Sequence, residues 1–412
     1  MMKELKGNYF GIALTAMLFI GSWISSSNAF AEEDTDLTKF GDIMQIALPA
    51  LGLGASYIYD DSEGRKQWLY TGVTAIGTTT VLKGVYAKMR PNFSESRTSF
   101  PSGHTTAVFF GAGFLDQRYG IWWGALSYAG ASLTAYSLIQ SVYHFVDDTV
   151  MGASVGLMSS WLWTTPYEGK VALIPAYVDD GFGVQLKVNE GAGKDRFRGL
   201  DEQARWRYSI AFGPAWQAEN KITSPASSSG TIDLDTFDKV NDPTSTANAM
   251  IEWFSNRHRV LFSFEPFEAR DTGRVSQPTD FQGVTFLPGE ELASSYRLTD
   301  ARLQYYYDFA PQNPLILEAG LSIAYQRIQF ILATQDETKS GDVRSEEWLP
   351  LINGTVGYQF NPRVSVAAEL SGFSLSDQEQ LDANIHLAYR FNRHWDAGIG
   401  YGIYETKRDT SE

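Results

Sequence analysis

Cysteine is absent from this chain. Its absence excludes disulfide staples, thiol catalysis and any Cys-ligated metal centre. Cations are in short supply too: 33 Lys and Arg stand against 48 Asp and Glu, a net charge of −15, so nucleic-acid phosphates are not an expected partner. Only five histidines occur among 412 residues. No repeated His or carboxylate spacing suits a metal ion, and neither a metal nor another cofactor is expected. Long apolar runs are scarce beyond the start of the chain, where most fall short of the roughly 18 to 20 residues that cross a bilayer comfortably.

The exception is the start itself. Lys3 and Lys6 precede an apolar run over 9–24, followed by Ser-Ser-Ser-Asn and then Ala29-Phe30-Ala31 before Glu32-Glu33. That order reads as an n-region, an h-region and a small-residue cleavage site, which predicts a signal peptide over 1–31 and export of the rest. An uncleaved membrane helix is the alternative.

The texture of the chain changes near Pro166. Apolar blocks at 43–59, 68–82, 105–115, 121–139 and 149–163, studded with Gly, Ala, Ser and Thr, predict helices and a helical domain over 32–165. From 166 to 412 the pattern alternates with period two and is rich in aromatics, at 206–216, 259–267, 296–309, 315–330, 349–360, 364–373, 381–391 and 395–404. Tight polar turns alternate with long polar connections such as 221–247 and 272–294. Each segment is long enough to cross an outer membrane as a tilted strand, and the pattern resembles outer-membrane β-barrels. A soluble sandwich or barrel alternates in the same way. A further hairpin is predicted at 171–188, and the strand count stays open. Residues 1–167 carry 10 Lys and Arg against 13 Asp and Glu, a net of −3, which leaves −12 for the remainder.

Three short pieces of the helical region converge on one chemistry. Lys83 and Arg90 are seven residues apart, so at about 3.6 residues per turn they are predicted to share a helical face, with Pro91 closing the segment. Pro101-Ser102-Gly103-His104 precedes an apolar run; Ser102 is a natural N-cap, Gly103 permits close backbone approach, and free amides at a helix start bind phosphate oxygens. His144 and Asp148, at i and i+4, are predicted to lie on one helical face, where the carboxylate fixes the imidazole tautomer. One histidine can then attack phosphorus while the other protonates the leaving oxygen. From 119 to 167 the only formally charged residues are Asp147 and Asp148. Charges that survive in so apolar a stretch point to a site. Asp147 is expected to face away from Asp148, into solvent.

These three motifs, in this order, resemble the type 2 phosphatidic acid phosphatase superfamily, which also contains bacterial acid phosphatases and vanadium haloperoxidases. That family's pattern is Lys, six residues, Arg-Pro; later Pro-Ser-Gly-His; later Ser-Arg, five residues, His, three residues, Asp. Lys83 with Arg90-Pro91, Pro101 to His104, and Ser137 with His144 and Asp148 fit it over roughly 40–165. The resemblance implies an all-α haloperoxidase-like bundle in which His144 is the nucleophile, Asp148 its orienter and His104 the general acid. It also implies a phosphate cradle of Lys83, Arg90, Ser102 and Gly103. One position departs from the pattern: Leu138 stands where the family has a phosphate-binding arginine, and a guanidinium makes charge-assisted bonds that an isobutyl group cannot. Arg97, in the connection between the first two motifs, is the nearby candidate to replace it.

The expected protein is thus a phosphatase-like bundle followed by an antiparallel transmembrane β-barrel, with the barrel in the outer membrane and the bundle in the periplasm. Its expected substrate is a lipid phosphate or pyrophosphate, cleaved without metal through phosphohistidine. The competing expectation is a binding or pore-forming barrel carrying a degenerate, non-catalytic phosphatase-like domain.

Overall fold

A computed structural model describes residues 36–92, 96–167, 171–178, 181–188, 205–215, 221–223, 231–233, 244–255, 257–275, 278–311, 314–336, 338–375, 378–391 and 396–407. The signal-peptide reading of 1–31 lies outside them.

Five helices come first: α1 (Asp36–Ile58), α2 (Ser62–Tyr86), α3 (Gly103–Tyr119), α4 (Ile121–Gln140) and α5 (Val146–Trp163). Their ends follow from local chemistry. Asp61 caps α2 by accepting from the Gly64 amide at 2.8 Å. Ser102 caps α3 by accepting from the Thr105 amide at 3.3 Å. A side-chain acceptor at this position satisfies one of the four orphan amides of a helix start. Helix α2 stops four residues before Arg90 because Ala87 turns into the left-handed region at φ 43°, its amide closing on the Lys83 carbonyl. Arg90 therefore does not share a helical face with Lys83; it sits in the segment leading to α3.

The bundle core joins Phe100, Val108, Phe109, Ala112 and Ala131 to Val150, Met151, Val155 and Leu157. Each fully buried aromatic or branched side chain contributes roughly 1.5–3 kcal/mol relative to exposure. Helix α5 approaches α3 backbone to backbone: a Cβ on Gly156 would stand 2.7 Å from both Phe110 N and Thr106 O. Only glycine fits there, and the close crossing carries the start of α5 onto the start of α3, where the Ser102 amide donates to the Asp148 carbonyl at 2.9 Å. No helix among the described residues is long and apolar enough to cross a membrane.

The strands follow: β1 (Val171–Val178), β2 (Gly181–Val188), β3 (Arg205–Ala215), β4 (Lys221–Thr223), β5 (Thr231–Asp233), β6 (Thr244–Ser255), β7 (His258–Arg274), β8 (Thr279–Phe281), β9 (Val284–Phe286), β10 (Glu291–Asp308), β11 (Leu315–Thr334), β12 (Ser340–Asn361), β13 (Val364–Leu375), β14 (Gln378–Arg390) and β15 (Asp396–Lys407). Three two-stranded pairs, β1–β2, β4–β5 and β8–β9, stand apart from one nine-stranded antiparallel sheet in the order β15-β14-β13-β12-β11-β10-β7-β6-β3. The predicted hairpin at 171–188 is β1–β2. Strand β6 lies partly in a segment read from the sequence as a polar connection.

The sheet curls until strands far apart in its order touch. Arg302 on β10 reaches Asp382 on β14 at 2.6 Å and Asp300 at 2.7 Å. Arg259 on β7 comes within 4.0 Å of Glu369 on β13. Even the two edge strands approach, Arg207 of β3 lying 3.9 Å from Asp396 of β15, although no ladder joins β3 to β15 among the described residues. The described sheet is a half-barrel rather than the closed barrel expected.

Its polarity is inverted. The enclosed face carries buried Arg259, Asp300, Arg302, Gln304, Gln326 and Asn353, whereas the outward face exposes Leu321, Trp348, Ile352, Ile385, Ile399 and Tyr401. The bundle packs on that outward face: α5 lies against β6 and β7, with Ala247, Ala249, Phe264 and Ala301 continuous with the helical core. Tyr208 of β3 bonds Ser154 at 2.8 Å and stacks edge-on to Trp161.

Candidate active site

The motif residues converge at one end of the bundle. His144 stands in the turn between α4 and α5, not on a helix. Val142 makes that turn with φ 55°, a costly backbone for a β-branched residue. The Tyr143 and His144 amides then both donate to the Leu138 carbonyl at 3.1 Å. Asp148 is in the first turn of α5, where its Oδ2 accepts from the Phe145 amide at 3.0 Å and lies 3.4 Å from His144 Nδ1. The predicted pairing is present, but it forms across a helix start instead of along a helical face. Ser99 adds a contact that the motifs did not signal: its hydroxyl donates to Asp148 Oδ2 at 2.5 Å and lies 3.5 Å from His144 Nδ1.

His144 is 4 % exposed. Burial pushes its pKa below the ordinary imidazole value; Lys83 and Arg90 push the same way, against the Asp148 carboxylate. The neutral, nucleophilic form is thereby favoured. Burial alone would raise Asp148, but Lys88, His144 and Ser99 hold its carboxyl well below the usual range.

Lys88 is the functional residue that sequence reasoning missed. It is buried, with Nζ 2.7 Å from Asp147 Oδ2, 3.1 Å from Asp148 Oδ1 and 3.0 Å from the Ser245 carbonyl of β6. Asp147 is accordingly not solvated: it is 2 % exposed, and burial together with the neighbouring Asp148 charge raises its carboxyl to about 7, against the pull of Lys88. Two adjacent carboxylates in an uncharged stretch needed a counter-cation, and that requirement was the available signal.

The cradle residues surround the same point. Lys83 donates to the Thr98 carbonyl, and burial pulls its pKa down to about 8, with Asp148 opposing and Arg90 adding to the shift. Its Cε passes 3.8 Å from where a Cβ of Gly103 would stand, which puts the amine beside the start of α3. Arg90 is half-buried under the Tyr143 ring, 5.8 Å from its centroid, and its buried Nε has no hydrogen-bond partner among the described residues. Ser102 Oγ is occupied as a cap, accepting from the Thr105 amide and hydroxyl at 3.3 and 3.0 Å. His104, one residue into α3, bonds Asp42 of α1 through Nε2 at 3.1 Å. Burial lowers its pKa, Asp42 raises it, and Arg90 and Lys83 lower it again. Leu138 is 3 % exposed, and Ser137 turns its hydroxyl back onto the Thr134 carbonyl. Arg97 is exposed and makes no side-chain bond among the described residues.

Such an arrangement has the parts for phosphoryl transfer: a buried oriented imidazole, a second imidazole, two cations and a helix start. Comparison with known proteins places it. Residues 67–170 match the PAP2 superfamily. A lipid A 1-phosphatase of Porphyromonas gingivalis is 32 % identical over 85 residues, which are 20 % of this chain and 19 % of that protein. The chain therefore spans about a fifth of that relative's length. Among solved structures, Aquifex aeolicus LpxE is 17 % identical, with 39 % of this chain and 87 % of that one covered and a TM-score of 0.25. A transmembrane PAP2 type phosphatidylglycerolphosphate phosphatase from Bacillus subtilis is 22 % identical, covering 39 % and 86 %, also with a TM-score of 0.25.

Proposed function

We propose that the protein hydrolyses the phosphate of a lipid through a phosphohistidine intermediate at the outer membrane. The observation that carries this reading is the unpartnered buried Arg90 Nε, on a guanidinium close enough to Lys83 and His144 to act on the charge of both. In the first step His144 Nε2 bonds to phosphorus as the bond to the lipid oxygen breaks, and protonated His104 gives that oxygen its proton. Asp148 stabilises the charge that develops on His144. In the second step His104 takes a proton from water, the oxygen attacks phosphorus, and the P–N bond breaks to release phosphate. Lys83, Arg90 and the α3 amides hold the non-bridging oxygens, which gather charge on the way.

The membrane half of the reading rests on the sheet. A polar enclosed face and an apolar outward face are the arrangement of strands in lipid. Aromatic i, i+2 pairs line one end of it beside the tight turns: Tyr307–Phe309, Tyr358–Phe360 and Tyr389–Phe391, with ring centroids 5.1, 5.3 and 5.1 Å apart. Such rings suit a membrane–water interface. The cradle lies by Ser245 and Arg270, at the end with the long connections, and bacterial outer-membrane barrels keep their short turns on the periplasmic side. This favours access from the outward leaflet over the periplasmic placement that the sequence suggested.

Purified protein should release phosphate from lipid phosphates in detergent micelles and form an acid-labile, base-stable phosphoenzyme. His144→Ala should abolish both, whereas His104→Ala should lose about 10² to 10⁴-fold, the usual contribution of general acid catalysis, and least on substrates with good leaving groups. Turnover in His144→Ala at the wild-type rate rejects the mechanism. No turnover of any lipid phosphate and no vanadate binding favour the second reading, a non-catalytic barrel with a degenerate domain, for which buried Leu138 is the supporting observation.

A further inference from the structure

The cleft between bundle and sheet has one wall in the active-site loops, at Pro91 and His144, and the other on the outward face of β7, β10 and β11, at Arg270, Arg297 and Arg327. Three guanidinium groups in one cleft need an account. Arg270 has one already. It donates to the Pro91 carbonyl, and its guanidinium lies 5.7 Å from the Phe145 ring, so it ties the residues next to Arg90 and His144 to the sheet. Register brings the other two together: Arg297 pairs with Gln329, and Thr299 with Arg327, which makes the arginines diagonal neighbours on the same face of β10 and β11.

The partner of Arg297 does not exhaust it. Glu268 accepts from Arg270 Nε and from Arg297 Nε, each at 2.8 Å, so one carboxylate serves two guanidiniums. Arg327 meets Glu346 through Nε at 3.3 Å, and that glutamate is 47 % exposed. Arg297 directs its Nε into the sheet and makes no other hydrogen bond among the described residues, while its side chain keeps 23 % of its surface exposed. Its η nitrogens form a planar donor fork with no acceptor, a geometry that matches a phosphate or carboxylate.

We propose that this cleft is a second anion subsite, in which Arg297 and Arg327 take an anionic group that the lipid carries in addition to the phosphate cleaved at His144. The inference rests on the lipid phosphatase reading above and narrows it to substrates with two anionic groups. It also gives the sheet a role in specificity beyond anchoring the enzyme.

The test compares two lipids in neutral-detergent micelles: dioleoyl phosphatidic acid, with one phosphate, and dioleoyl phosphatidylglycerol phosphate, whose phosphodiester lies a glycerol away from its phosphomonoester. The readout is the ratio of their kcat/KM values. Wild type should favour the second lipid roughly tenfold or more, since one hydrogen bond to a charged group contributes that much. Arg297→Gln/Arg327→Gln should bring the ratio to about unity, chiefly through KM; Arg297→Gln alone should do so in part. Arg297→Lys/Arg327→Lys should keep most of the preference, which separates lost charge from lost folding. A ratio that stays at its wild-type value in the Gln variant, or a wild type with no preference, overturns the proposal. If wild type cleaves neither lipid, the phosphatase reading fails by itself, and the subsite is decided by calorimetric titration of His144→Ala with inorganic phosphate and pyrophosphate. Preferential pyrophosphate binding that Arg297→Gln/Arg327→Gln weakens about tenfold upholds it; equal binding of the two anions, or no effect of the change, overturns it.

Discussion

Lys88→Met is the perturbation that most directly tests how the two halves of the chain share one site. Lys88 Nζ has three oxygen partners within 3.1 Å, from Asp147, Asp148 and the Ser245 carbonyl of β6. Methionine keeps the stem and removes the charge, leaving two adjacent carboxylates buried at 2 % and 0 % exposure without a cation. Breaking a buried pair from one side costs about 3–5 kcal/mol, and denaturant unfolding followed by tryptophan fluorescence at pH 8 should show a loss of that order. Adding Asp147→Asn should restore at least half, because it removes the repelling charge along with the orphaned acceptor. The sign of the pH dependence is fixed by the shifts. Asp147 is raised to about 7, so between about pH 4 and 7 the folded chain holds a proton that the unfolded chain has released, and stability falls as pH rises through 7. Asp148 is lowered; its contribution is present above about pH 4 and is lost as pH falls through its folded value. For Lys88 burial pulls the pKa down, but the two carboxylates raise it above its ordinary value, so its contribution persists until strongly alkaline pH. The deficit of Lys88→Met should therefore shrink between pH 8 and pH 5. A loss below about 1 kcal/mol, or strict additivity of the two changes, refutes the reasoning.

Asp42→Asn should move the alkaline limb of kcat/KM, which reports protonated His104, to lower pH, because the carboxylate 3.1 Å from Nε2 opposes the effect of burial there; an unmoved limb denies Asp42 that role. Gly156→Ala should cost about 1–3 kcal/mol, the usual price of overpacking, and should lower activity as well, because its Cβ would push α5 from α3 where Asp148 meets Ser102; thermal unfolding and phosphate release measure the two effects. The native chain has no cysteine, so single substitutions on β14 can report polarity: in intact membranes Ile385→Cys, on the outward face, should resist a water-soluble maleimide. Rapid labelling of that site in membranes argues against a lipid-facing sheet.

How much of this was legible in the sequence depends on the range of each interaction. The three motifs were readable because histidine, glycine and paired charges are conspicuous in an apolar stretch. Their local geometry was less so. Seven-residue spacing placed Lys83 and Arg90 on one helix, but Ala87 takes a left-handed backbone and ends α2 first. The i, i+4 spacing of His144 and Asp148 suggested a helical face, whereas the contact spans the start of α5. Lys88 carried no local signal, since its partners lie 59 and 157 residues away. Strand alternation marked eight segments of the large sheet but passed over β6, whose outward Ala247 and Ala249 are small because α5 covers them. Periodicity reports burial by the strand's own sheet, and it falls silent where a helix from elsewhere in the chain supplies the cover.

The contacts of the active-site segment explain why the two halves work as one unit. The described residues between α2 and α3, 87–92 and 96–102, carry no helix of their own. Two of their positions are held from the sheet, Lys88 by the Ser245 carbonyl and Pro91 by Arg270. Arg90 lies between those anchors. Without β6 and β7 the segment would keep its ion pair with Asp147 and Asp148 but lose both sheet anchors around Arg90, so the surroundings of this cation are held by contacts that span 157 and 179 positions of sequence. Leu138 fits the same account: its side chain is buried while its carbonyl holds the His144 turn. The cradle here takes part of its positioning from the strands of a half-barrel.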